Sequence, residues 1–246
     1  AVRPLSFFFN LAATTENPDG LNGALKLLAA EADEAVDVQL GDKSRSVFMD
    51  IYAYMTKAHM KKYGTTREQI AAVTAKNSRH GALNPRAQFQ TAMTVAEVLA
   101  AREIVWPLTL PMCSPIGDGA AALVIVSERK ARAMGLSRRV RVLSSALVSG
   151  FDADAEGRSV GAFAVNAAYE AAGLGPQDLS LAEVHDASAT SEIVAYEYLG
   201  ICDKGGGGRL VEDGVTALGG RIPVNASGGL LRKGHPIGAT GAGQIV

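Results

Sequence analysis

Two histidines and a glycine-rich stretch hold the residues of this sequence that could do chemistry. His235 lies between Gly234 and Pro236, with Gly238 three residues on. Proline is tolerated in the first turn of a helix, so a helix can open at Pro236 and hold His235 at its entrance. An imidazole there can take a proton as a base or donate to a developing oxyanion; the plainer alternative is a loop histidine bonded to backbone. His185-Asp186 is the second group, at the end of a short strand-like segment, Leu181 to His185, before a helix that opens near Ser188. Ligand sites in open α/β sheets gather at that edge. Neighbours on a strand point to opposite sides, so one of the two faces a pocket and the other supports structure. Asp186 could instead cap the following helix.

Other chemistries find less support. His59, His80, His185, Asp186 and His235 show no close pairing such as i, i+4 histidines, so no metal site is expected. The glycines match neither a phosphate-binding G-x-x-x-x-G-K-[ST] loop nor a strand–GxGxxG–helix unit. Cys113 and Cys202 lack an evident base beside them and read as buried or incidental thiols rather than nucleophiles.

The elements that must position these groups follow from periodicity. Leu21 to Val36 and Val47 to Tyr63 read as helices, the second stopped by Gly64; Thr66 with Gln69 forms a capping-box pattern for a third helix, to Arg79. A short helix is expected over Val95 to Arg102. Beyond residue 118 the pattern alternates: a buried strand, or a helix end passing into one, at Ala120 to Val126, strands at Val140 to Val148 and Leu181 to His185, and helices at Ser127 to Met134, Val160 to Ala172 and Ser188 to Leu199. Such alternation argues for an α/β layered core. Of the residues from Ile222 to Gly243, eight are Gly or Pro, so this segment must be bent backbone of specific shape, the kind of place where sites are built.

Composition bounds the function. Apolar residues make up 48% and charged residues 20% of 246, enough for a core. A net charge of −1 removes the electrostatic case for nucleic acid. The longest apolar run, Ala120 to Val126, is far short of the ~20 residues that span a bilayer. The opening residues, with Arg3 before Phe7-Phe-Phe9, faintly suggest a signal peptide, but Asn10 interrupts the patch and no cleavage site closes it. Two cysteines are too few for a disulfide framework, and the cytoplasm, a reducing compartment, is the expected location.

Asn225-Ala-Ser-Gly-Gly229 followed by Gly234-His-Pro-Ile-Gly-Ala-Thr-Gly241 resembles the thiolase superfamily, as does Cys113-Ser-Pro-Ile-Gly-Asp-Gly-Ala-Ala-Ala122. His185-Asp186 stands where many thiolases carry Asn-Glu; a His-Asp pair there is similar to the sterol-carrier-protein (lipid-transfer) branch. Tyr63-Gly-Thr-Thr and Asn84-Pro-Arg-Ala-Gln-Phe89 resemble that branch too. The resemblance runs from about residue 47 to the end.

It implies an α/β fold, a thiolase-like layered αβαβα core of which this chain supplies the second half, with a mostly helical loop domain. The loop domain would occupy 1–118 and the second half 119–246, incomplete at its end, so that the chain would be a fragment. It implies thiolytic cleavage or Claisen condensation of a 3-oxoacyl-CoA, with acyl transfer through a cysteine outside this chain segment. His235 would be base and oxyanion donor, and His185 the second oxyanion-site residue. Ser114, Asn225 and Gly229 would serve substrate or coenzyme A binding, the last two by shaping the loop that holds His235, with Asp186 and Ser188 supporting. Coenzyme A is then substrate and product, and no cofactor is covalently bound. A homodimer or homotetramer and a small OB-fold/zinc-ribbon partner protein are the implied assemblies.

One departure bears on the reaction. The branch typically has a cysteine after His-Asp; here that place is Ala187, with Ser188 where an aromatic is usual. The alternatives are therefore a retro-aldolase acting on a β-hydroxyacyl-CoA such as a steroid side chain, and a non-catalytic acyl-CoA-binding scaffold subunit.

Overall fold

Side-chain caps set the helical half of the molecule. In the computed structural model, which describes residues 26, 28–36, 46–137, 139–148 and 160–246, Ser46 accepts the Phe48 N–H to open α1 (Val47–Tyr63), and Gly64 closes it. Thr66 and Gln69 form both bonds of a capping box at the start of α2 (Arg67–Leu83). This helix runs through Gly81 rather than stopping at Arg79. Gly81 is needed inside it because a Cβ there would lie 2.9 Å from Cβ of Arg232. A second capping box, Thr94 with Glu97, opens α3 (Val95–Ala100). It ends short of Arg102 because Glu103–Val105 (β1) is drawn into antiparallel pairing with Leu108–Thr109 (β2).

The remaining helices are α4 (Glu128–Ala133), α5 (Val160–Ala172), α6 (Ala189–Tyr198), α7 (Gly207–Glu212), α8 (Gly229–Arg232) and α9 (Thr240–Ile245). Residues 28–32 are helical and pack Ala29 against Tyr54 of α1, whereas residues 21–25 and 27 of that expected helix lie outside the described residues, as does the signal-like start. Among the described residues, no helix is long and apolar enough to cross a membrane.

One apolar core crosses residue 118. Ile70, Val73, Val98, Leu108 and Met112 pack with Val184, Ile193, Tyr196, Val224 and Leu231. The strands expected at Ala120 to Val126 and Val140 to Val148 are a correction. Both segments lack regular secondary structure, and Val124 is 91% and Leu147 100% exposed. An apolar run or an apolar alternation marks a segment suited to a strand, but a strand exists only when a neighbour completes its hydrogen bonds, and among the described residues none pairs with these two. The Leu181 to His185 segment is likewise no ladder strand; it makes a single parallel bridge, Ala182 to Val224.

Buried charge, not only apolar packing, joins α2 to α6. Lys76 and Glu192 are at most 1% exposed and form a salt bridge in the core. Lys76 Nζ also donates to the Val224 carbonyl at 2.9 Å. Tyr196 donates to the same Glu192 carboxylate, and its hydroxyl lies 3.2 Å from Thr216 Oγ1. Removing one partner of a buried ion pair strands the other charge, at a cost of about 3–5 kcal/mol. Lys76→Met should therefore lower the unfolding free energy by ~3–5 kcal/mol in urea titrations. A loss below ~1 kcal/mol would show that the pair does not hold the two helices together.

Candidate active site

Three chain segments converge on the histidines. The strand-like run after Met112 lies beside His185–Ser188 on one side, through the Cys113–Ser188 bridge and the Ser114 N–H donating to the Ala187 carbonyl at 2.9 Å. On its other side it pairs in parallel with the Gly234–Pro236 segment through Ile116 and His235. The rings of His185 and His235 meet edge to face with centroids 5.2 Å apart. Neighbours 50 residues apart in sequence thus form one imidazole pair.

The hydrogen bonds around His235 assign its tautomer. Thr240 Oγ1 lies 2.8 Å from His235 Nδ1 and donates to the Pro236 carbonyl at 3.2 Å. With its single proton so committed, the hydroxyl accepts from Nδ1–H, which leaves Nε2 with its lone pair, the state of a base. Partial burial, the nearby His185 and Lys233 together hold the pKa of His235 down to about 4. His185, though its side chain reaches solvent, is also held below the ordinary histidine value, chiefly by desolvation. Both rings are thus neutral near pH 7, ready to accept a proton or to donate a neutral N–H.

Asp186 does not cap the helix that follows it. Ser188 does, accepting the Ser191 N–H. Asp186 instead reaches across the fold: fully buried, it accepts the Leu230 N–H at 2.7 Å, the first turn of α8, and Asn77 Nδ2 at 3.0 Å. Burial first, then the Glu192 carboxylate, pushes its pKa well above the usual range. Gly229 lies directly against this carboxylate, and a Cβ there would collide with Asp186 Oδ2.

Asn225 adopts a left-handed conformation (φ 55°) with no exposed surface. Its Oδ1 accepts the Val184 N–H at 2.9 Å and its Nδ2 donates to Glu192 Oε2 at 2.7 Å. It therefore ties the segment before His185 to the core. Ser114 is half-buried beside Ala187. Gln88 backs the loop before His235: its N–H donates to the Lys233 carbonyl, and Gly234 (φ 109°) lies so close that a Cβ would be 2.8 Å from Gln88 Oε1.

Neither cysteine is poised as a nucleophile. Burial pushes Cys113 up to about 12, and burial with the Glu197 and Asp203 charges pushes Cys202 up to about 12. His59 is held by Glu197 and Thr65, each at 2.8 Å. His80 lies 2.9 Å from the Asn225 carbonyl through Nδ1 and accepts the Leu218 N–H through Nε2, which fixes it as a neutral structural ring. Among the described residues no three His, Cys, Asp or Glu side chains are grouped to hold a metal. A cleft of about 790 Å³ between α1, α5 and α6 includes neither histidine of the pair.

The residues that sequence reasoning missed are Thr240, Lys76, Asn77 and Glu192. Thr240 carried a signal, lying five residues after His235 in a Gly-Ala-Thr-Gly turn. The other three looked like the polar faces of helices, and only packing reveals that those faces are inside.

Comparison with known proteins agrees with this architecture. Residues 153–246 match the family model described as thiolase C-terminal domain-like. The chain is 41% identical over 239 residues to an acetyl-CoA acetyltransferase of Methanothermobacter thermautotrophicus, covering 95% of this chain and 61% of the relative. It is 40% identical over 199 residues to sterol carrier protein 2 of Bos taurus, covering 77% and 37%. A solved structure titled Ltp2-ChsH2(DUF35) aldolase superposes with a TM-score of 0.70 at 26% identity, covering 80% of this chain and 53% of that one. The chain thus spans roughly half the length of these relatives. The class of protein is an α/β chain of thiolase type with a paired-histidine site. Residues 153–246 thus carry the thiolase C-terminal domain, and the relatives, an acetyl-CoA acetyltransferase and sterol carrier protein 2, match the sterol-carrier (lipid-transfer) branch of the thiolases.

Two predictions follow from the geometry. Gly229→Ala should destabilise the fold by ~1–3 kcal/mol, since it drives a methyl into Asp186 at a left-handed position (φ 62°); urea midpoints test this. The pH prediction rests on sign. Burial holds the folded-state pKa values of His80, His185 and His235 below the ordinary histidine value of about 6.5, so the unfolded chain binds more protons over that range, and stability falls as pH drops from about 6.5 towards 4. Asp186, shifted up, works in the opposite direction. Urea midpoints between pH 7 and pH 4.5 should consequently fall less steeply in His235→Asn than in the wild type.

Proposed function

We propose that this chain carries the base and oxyanion-site histidines of an enzyme that makes or breaks a carbon–carbon bond beside the thioester of an acyl-CoA. The observation that carries the reading is the pair of neutral imidazoles, His185 and His235, held 5.2 Å apart at the meeting of three segments. Two neutral rings supply one proton acceptor and one N–H donor, which is what enolate chemistry at a thioester asks of a site. In the thiolytic direction the coenzyme A thiol and a 3-oxoacyl-CoA give two acyl-CoA products. A cysteine outside this chain segment, its thiol proton taken by His235, attacks the 3-keto carbon. The C2–C3 bond breaks, its electron pair leaves as the thioester enolate, to whose oxygen His185 donates, and that enolate takes up a proton. The coenzyme A thiol then displaces the acyl group from the cysteine, which regains its thiol proton. The likeness to an acetyl-CoA acetyltransferase supports acyl transfer.

A second reading, retro-aldol cleavage of a β-hydroxyacyl-CoA, is favoured by one observation: Ala187 supplies no acid–base thiol, and both cysteines of the chain are held protonated. In that reaction a base removes the hydroxyl proton, the carbon–carbon bond breaks to give a carbonyl compound, and the thioester enolate is protonated. The similarity to a structure titled as an aldolase with ChsH2(DUF35) supports it, and supports a small OB-fold/zinc-ribbon partner. In either reading coenzyme A is substrate or product, and a homodimer or homotetramer is the assembly we propose.

The test is turnover and intact mass of the protein with 3-oxoacyl-CoA plus coenzyme A, and with β-hydroxyacyl-CoA. Acyl transfer predicts a covalent acyl adduct that coenzyme A discharges; retro-aldol cleavage predicts a carbonyl product and no adduct. His235→Ala should lower kcat by about 10²–10⁴-fold in either case. Unchanged turnover in that variant would overturn the site, and binding of CoA esters without turnover of any kind would leave the scaffold role.

A further inference from the structure

We infer that Asn77, on α2 and remote from any reacting atom, is a positioning residue that aligns His185 with His235 by bridging two buried carboxylates. The inference rests on the reading of the two histidines as the reacting pair. Asn77 Nδ2 donates to Asp186 Oδ2 at 3.0 Å and to Glu192 Oε2 at 2.6 Å. Carboxylates accept hydrogen bonds, so the NH2 group must face both, and the side-chain orientation follows from the network.

What each carboxylate holds gives the bridge its meaning. Asp186 is bonded in sequence to His185 and accepts the Leu230 N–H, in the short helix α8 whose end leads through Lys233 and Gly234 into His235. It therefore grips both histidine-bearing segments at once. Glu192 is the hub of the core network, with Lys76, Tyr196 and Asn225 on its oxygens, and Asn225 holds the Val184 N–H just upstream of His185. Two carboxylates this close repel unless donors lie between them. Asn77 supplies both donors from one amide, and so fixes the separation of the two grips.

The cost of keeping an asparagine here argues that its donors matter. Asn77 is fully buried, yet its Oδ1 is one of three buried side-chain polar atoms with no partner among the described residues. An apolar side chain would avoid that orphaned acceptor. Half of the amide goes unsatisfied here, and the other half meets the two carboxylates.

Asn77→Ala tests the role. Turnover of the best CoA-ester substrate should fall in kcat by about 10- to 100-fold, as expected for slight misplacement of reacting groups, while KM stays within about twofold. Histidine ring NMR of labelled protein should show the resonances and titration of His185 and His235 moved, with those of His59 unmoved. In a cycle with Asp186→Asn, the double variant should be no worse than the poorer single variant, because Asn77 acts through Asp186. Asn77→Ser, which retains one donor, should lie between wild type and Asn77→Ala, and carries the test if the alanine variant does not fold. Unmoved His185 and His235 resonances in a folded variant, or losses that multiply in the double variant, would overturn the inference. The NMR reading needs no substrate, so it separates this failure from failure of the proposed reaction, which His235→Ala turnover reports.

Discussion

The carboxylate of Glu192 is the constraint on which the rest depends. Buried without exposed surface, it is stable only because Lys76 neutralises it and Tyr196, Asn77 and Asn225 donate to its oxygens. An ionised group taken out of water costs several kcal/mol unless paired and fully hydrogen-bonded. Satisfying it forces α2, α6 and the turn at Asn225 into one arrangement. In low dielectric each of these bonds is strong and each omission is costly, so the network behaves as a rigid frame, while the apolar core around Ile193 and Val73 fills the space it leaves.

The histidine pair inherits its geometry from that frame. His185 is reached through Val184 and Asp186, and His235 through α8 and Gly234, so neither ring is set by its own contacts alone. The local devices are finer: Thr240 assigns the tautomer of His235, and Gln88 closes the space behind Gly234. Partial desolvation then keeps both rings neutral. Such a site does its work by preorganisation, with donors and acceptors aimed before the substrate arrives.

Both cysteines of the chain are held as neutral thiols, for a physical reason. A thiol becomes a nucleophile when positive charge or a helix terminus lowers its pKa. Cys113 and Cys202 have the opposite surroundings, burial for the first and burial with two acidic neighbours for the second. The bridge at Cys113 ties its backbone to Ser188, which makes it part of the wall behind Ala187 rather than a reactive group.

The sequence by itself determined the starts of the helices at Val47, Arg67, Val95 and Val160, the candidate histidines and the family resemblance. It did not determine the helices at Gly207 and Gly229, and the helix expected at Pro236 opens only at Thr240, after a turn over 236–239. The cap at Thr66 and the Gly-His-Pro turn are local, written in residues within one turn of each other, and local chemistry survives in a linear reading. Only the tertiary structure decided which polar residues face inward. Lys76, Asn77 and Glu192 look like ordinary polar helix positions until α2 is packed against α6, because burial depends on partners more than 100 residues away. Likewise, the apolar run at Ala120 to Val126 and the alternation at Val140 to Val148 described strand-forming potential, whereas a strand requires a paired neighbour, and pairing is a property of the assembled chain and not of the segment.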